Sequence, residues 1–134
     1  MLKTKEEYRM IINNIQDGYF EIDLAGTYTY ANAALCEIYG YSIAEIIGMN
    51  YREHTDQVNA QKAFKAFNQI YRTGASGKLF DFELIRKDGT RRQVEISASL
   101  IKDQLGKPVG FRGTTRDVTE RRQMEERLRQ SEER

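Results

Sequence analysis

The chain has 134 residues, and 21 Lys+Arg against 20 Asp+Glu leave a formal charge of +1. That is the length of one domain able to bury a core, its near neutrality argues against a dedicated nucleic-acid binder, and no apolar run approaches the ~20 residues of a membrane span. A single cysteine, Cys36, excludes an internal disulfide, and without a secretory leader the expected setting is cytoplasmic.

Tyr8, Ile11, Ile12 and Ile15 recur at helical spacing within Thr4 to Ile15, and Thr4 with Glu7 forms a capping-box signature. Asp17-Gly18 ends that helix. Tyr19 to Leu24 then alternates, with Phe20, Ile22 and Leu24 on one face, and Ala25-Gly26 turns the chain into Thr27 to Ala31. There Tyr28 and Tyr30 are expected on one side. Asn32 caps a short helix, Ala33 to Tyr39, which Gly40 closes, and Ser42 with Glu45 caps a second before Gly48. From Asp56 to Gly74 a longer helix carries Ala60, Ala63, Phe64, Phe67, Ile70 and Tyr71 as its apolar stripe.

After Lys78 the period is two. Phe80, Phe82 and Leu84 share a face, Asp88-Gly89 marks a hairpin, and Val94, Ile96, Ala98 and Leu100 form the return strand. Gly106 introduces a last strand, Val109 to Asp117, with Phe111, Gly113 and Thr115 on one face. Five strands with small helices inserted after the second make an α+β domain. From Glu120 to Arg134, ten of 15 residues are charged, five acidic and five basic, and only Met124 and Leu128 are apolar. Such a helix either stays solvated or shares a narrow seam with a second copy. The expected divisions are 1–17 for an amphipathic dimerisation helix, 18–118 for the core and 119–134 for the start of a coiled coil, in a chain expected to be part of a longer protein.

This order of elements resembles a PAS sensor domain with its C-terminal PAC part. The match is carried by Asp23-Leu24-Ala25-Gly26 with Tyr30-Ala31-Asn32, by Gly40-Tyr41-Ser42 with Glu45-Ile46-Ile47-Gly48, by Lys87-Asp88-Gly89-Thr90, and by Gly110-Phe111 leading to Asp117-Val118-Thr119-Glu120-Arg121. The resemblance implies a five-stranded antiparallel sheet, order 2-1-5-4-3, cupping helices and often a small ligand. It also implies a covalently linked output domain, a histidine kinase or a diguanylate cyclase. Asp117 and Thr119 would relay the state of the core to the outgoing helix.

Alternation directs Phe20, Ile22, Tyr28 or Tyr30, Phe82, Leu84, Ile96, Ala98, Phe111 and Thr115 toward the helix bearing Phe64 and Phe67. Gly113 and Ala98 put two small residues on neighbouring inner faces, so either Phe67 and Tyr30 fill the space or a ligand does. The candidate pocket is completed by Ile38, Tyr51, His54 and Gly113, with Tyr30, Tyr51, His54 and Thr115 as its polar groups. Arg72 and Arg112 read as solvated charges.

No cofactor or metal is expected. Heme would need His54, whose position before a helix reads first as a surface or capping residue. Cysteine photochemistry has no support, because Met49-Asn50-Tyr51-Arg52 stands where the resemblance would place a flavin-reactive cysteine, and noncovalent flavin lacks a tryptophan to stack on. No constellation of nucleophile, base and phosphate loop supports catalysis. A parallel homodimer is expected, with Tyr8, Ile11, Ile12 and Ile15 pairing at one end and Met124 and Leu128 at the other.

Overall fold

The computed structural model of the protein describes residues 16–75 and 77–132. The helix expected over Thr4 to Ile15, with its proposed dimer contacts, lies outside them. The described elements are β1 (Gly18–Asp23), β2 (Tyr28–Ala31), α1 (Ala33–Tyr39), α2 (Ile43–Ile46), a 3₁₀ turn (Tyr51–His54), α3 (Gln57–Thr73), β3 (Lys78–Ile85), β4 (Arg91–Lys102), β5 (Pro108–Asp117) and α4 (Thr119–Glu132). The strands form one antiparallel sheet in the order β2-β1-β5-β4-β3, as the resemblance implies.

Local chemistry sets the helix ends. The Asn32 side chain accepts the Leu35 N–H at 2.9 Å and also the Tyr19 N–H at 2.9 Å, so the cap of α1 is tied to β1. Ser42 and Glu45 exchange hydrogen bonds in a complete capping box. The Lys87 ammonium and the Ser42 amide hold the Glu45 carboxyl at about 2, below the ordinary carboxylate range. Asp56 caps α3 by accepting the Asn59 N–H at 2.8 Å, and Asn59 in turn accepts the Glu83 N–H at 3.0 Å, fastening α3 to β3.

Two expectations about facing are corrected. Ile22 pairs with Tyr28 and Glu21 with Tyr30, so a bulge at the intervening Thr29 breaks the alternation. Tyr28 is therefore buried beneath the sheet, while Tyr30 sits on the outer face with its ring 6.0 Å from that of Tyr19. On α3 the buried stripe is Ala63, Ala66, Phe67 and Ile70. Phe64 and Tyr71 lie about 100° further round the helix and stand half exposed.

Ala98 and Gly113 are indeed directly opposite each other on β4 and β5. The volume they leave is taken by Phe20. A Cβ at Gly113 would lie 2.7 Å from Phe20 Cζ and 2.4 Å from the Ser97 carbonyl oxygen.

Candidate functional site

The space between sheet and helices has a closed end and an open end. At the closed end Phe20, Tyr28, Tyr39, His54 and Thr115 are all buried. The Tyr39 hydroxyl shares a hydrogen bond of 3.1 Å with Thr115 Oγ1, and the Tyr28 ring packs edge-on against that of Tyr39 with centroids 6.2 Å apart. Burial raises the pKa values of Tyr28 and Tyr39, so both hydroxyls stay neutral. His54 is enclosed by the rings of Tyr28, Tyr39 and Tyr41, with centroids 5.5, 5.1 and 5.1 Å away. Neither of its ring nitrogens has a hydrogen-bond partner among the described residues. Desolvation lowers its pKa to about 4, so the imidazole is neutral near pH 7.

Beside Phe20, Tyr28 and Tyr39 remains a cavity of about 10 Å³, lined also by Ile22, Tyr51, Ala63, Phe67, Phe82 and Ile96. That is room for about one water. The rings of Tyr28, Tyr39 and Tyr41 thus stand around the one imidazole that heme would need.

The open end is a groove of about 400 Å³. Ile22, Phe67 and Phe111 lie along it, with Leu24, Phe64 and Tyr71 at 46%, 52% and 47% exposure. The β1–β2 turn shapes one edge. Gly26 has φ 93°, and a Cβ there would meet the Tyr51 ring at 2.5 Å, so glycine lets the turn close against that ring. Tyr51 is buried, which raises its pKa, and the neighbouring Arg52 charge partly offsets that rise. The Arg52 guanidinium lies 5.4 Å from the Tyr51 ring centre and 5.8 Å from that of Phe64. Asn68 adds an amide, and no carboxylate belongs to the lining.

The PAS-fold family profile matches residues 6–118. The chain belongs to the PAS family. It is 30% identical over 126 residues to Sporulation kinase C of Bacillus subtilis, covering 94% of this chain and 29% of that protein. It is also 30% identical over 125 residues to Two-component system protein A of Emericella nidulans, covering 90% of this chain and 18% of that protein. The chain thus spans less than a third of the curated relatives it matches. A solved PAS domain from Colwellia psychrerythraea superposes with a TM-score of 0.79 at 19% identity, over 86% of this chain and 97% of that one.

Within this PAS fold the expected pocket residues separate. Phe20, Ile22, Tyr51, His54, Phe67, Phe82, Leu84, Ile96, Ala98, Phe111, Gly113 and Thr115 are buried together. Ile38 packs against this core from its edge, while its carbonyl accepts the Arg86 Nε–H at 2.9 Å. Tyr30 faces away, and Phe64 stands at the groove mouth. Cys36 is half-buried on α1, away from the groove, with its pKa raised by burial. No group of three His, Cys, Asp or Glu side chains among the described residues is placed to hold a metal ion.

The junction at Asp117 and Thr119 is built from β4. Asp117 accepts the Arg92 Nε–H at 2.7 Å and the Thr119 N–H at 3.0 Å. Thr119 Oγ1 accepts the Gln93 N–H at 2.8 Å. Burial pushes the Asp117 carboxyl up, but Arg92 and Thr119 outweigh it and leave the pKa lowered. Further along α4, Arg122 pairs with Asp81 at 2.7 Å and Arg121 with Glu95 at 3.5 Å. Sequence reasoning missed Arg52, Leu24, Asn68 and Tyr71 as groove residues. An arginine directly after Tyr51, ahead of the aromatic positions of α3, was the available signal.

Proposed function

We propose that this PAS domain is the sensory module of a longer signalling protein and relays the state of its core through α4 to a linked histidine kinase or diguanylate cyclase, in a cytoplasmic setting. The supporting observation is the junction: one aspartate and one threonine bond the first turn of α4 to Arg92 and Gln93 of β4, so a shift of the sheet carries the helix with it. Thr115 and Asp117 lie two residues apart on β5, which joins the buried Tyr39–Thr115 hydrogen bond to the junction. Catalysis belongs to the linked domain in this reading. No helix among the described residues is long and apolar enough to cross a membrane.

A spin-label distance tests the relay. Nitroxides at Leu79→Cys and Met124→Cys, both exposed positions, in a Cys36→Ser background should give a narrow distance distribution. Adding Asp117→Ala with Thr119→Val should broaden it markedly. An unchanged distribution would mean that the junction does not hold the helix.

Homodimerisation is supported by Met124 and Leu128, each 57% exposed and four residues apart on a helix otherwise polar or charged. The expected light-scattering mass is that of two chains, falling to one in Met124→Glu with Leu128→Glu. A one-chain mass for the unaltered protein at high concentration counts against the dimer.

A further inference from the structure

We infer that the open groove beside α3 binds a small, flat, apolar molecule ending in one carboxylate, which Arg52 receives. This rests on the sensory reading above and names the chemistry of its input.

Three observations converge on that class. The first is size: about 400 Å³ falls within the range of small-molecule sites, whereas the closed end of the same cup admits nothing larger than a water. The second is the wall. Leu24, Phe64 and Tyr71 would each be better buried, yet they surround a concavity with Phe67 and Phe111 along it. Aromatic side chains on both sides suit a planar apolar body.

The third is charge. Arg92, Arg116 and Arg122 are each paired with a carboxylate, whereas Arg52 makes no ion pair among the described residues and rests on two rings. The exposed Arg52 guanidinium, placed by these two rings at the groove edge, presents a planar fork that matches a carboxylate through two parallel hydrogen bonds. The groove lining holds one cation and no acid, which balances a single negative charge. A phosphate dianion would want a second cation or a row of backbone N–H groups, and the lining offers no lysine, histidine or further arginine. Asn68 can hold a second polar atom of the same molecule. Phe111 connects the site to the relay, because it lies on β5, the strand that ends at Asp117.

Calorimetric titration of the 134-residue chain with naphthoate and with naphthalenemethanol, its uncharged counterpart, reads the inference directly. Naphthoate should bind about tenfold more tightly or better, the worth of one charge-assisted hydrogen bond. Arg52→Gln should bring the two affinities together, and Phe64→Ala should weaken both. Both positions are exposed, so melting temperatures close to that of the unaltered chain will show the variants folded. Equal affinity for the two compounds, or a preference that survives Arg52→Gln, overturns the inference. So does the absence of heat from either compound, including the case in which another segment or a second copy fills the groove. The spin-label distance is read without ligand, so the relay can stand if this site falls, and the site can stand if the relay falls.

Discussion

Under Thr115, Phe20, Tyr28, Tyr39 and His54 fill the cup until about 10 Å³ remains; under Phe111, Phe64 and Tyr71 stand apart and leave about 400 Å³ open. Both ends are rich in aromatic rings. The difference lies in which backbone brings them in. At the closed end Gly113 and Ala98 let Phe20 settle against the sheet, and β2, α1 and the 3₁₀ turn supply rings from three further directions. At the open end the β1–β2 turn and α3 diverge, and no third element covers the gap among the described residues. One end is thus built for stability, and the other keeps apolar surface available.

Replacing Phe20 with alanine should break the closed end most severely. Its ring is 2% exposed and occupies the space above Gly113, so the loss should be about 3 to 5 kcal/mol by chemical denaturation. A loss below about 1 kcal/mol would mean that the neighbours collapse into the gap and that the two ends are more alike than their volumes suggest.

His54 gives a smaller effect with a distinctive pH dependence. The unfolded chain takes up a proton at this imidazole below about pH 6.5, the folded one only near 4. Between those values the unfolded state binds more protons, so stability falls as the pH falls, by at most about 1.4 kcal/mol per pH unit and about 3 kcal/mol in all. The chain has one histidine, so the upper part of that window belongs to it alone. His54→Phe keeps an aromatic ring among the three tyrosines and removes two unpartnered nitrogens. It should flatten the profile between pH 6.5 and 5 and leave stability at pH 7 unchanged or raised. A slope that persists in the variant would place the titrating group elsewhere.

What was legible in the sequence was local or periodic. The caps at Asn32, Ser42 and Asp56 announce themselves because a side chain bonds a backbone group three residues on. Strand faces follow from a period of two, and β4 keeps that period along Val94, Ile96 and Ala98. Tyr30 was misplaced because one bulge residue inverts everything beyond it, and no composition signal marks Thr29. Phe64 and Tyr71 were assigned to the core because hydrophobicity does not say which of two adjacent helix positions faces inward; the small Ala63 and Ala66 win where α3 crowds the sheet. His54 read as a surface group because its burial depends on three tyrosines from β2, α1 and the loop after α1, which only the fold assembles. The Asp117–Thr119 junction was readable as a turn motif, whereas its partners Arg92 and Gln93 lie more than 20 residues away in sequence.

The same residue type at the open end should respond very differently from Phe20. Phe64 is 52% exposed, so truncation to alanine gives up roughly half of the 1.5 to 3 kcal/mol that full burial of such a side chain is worth. Alanine is the better helix former, by up to about 0.7 kcal/mol per residue, and returns part of that loss within α3. The net change should be roughly 0.5 kcal/mol, close to the error of a denaturation curve and far below the effect of Phe20→Ala. Losing the ring also frees Arg52 from one of its two aromatic contacts, which widens the groove mouth without disturbing Phe67 beneath. If Phe64→Ala instead destabilises the fold by more than about 2 kcal/mol, the groove wall is part of the core, and the division between a stabilising end and an available end fails.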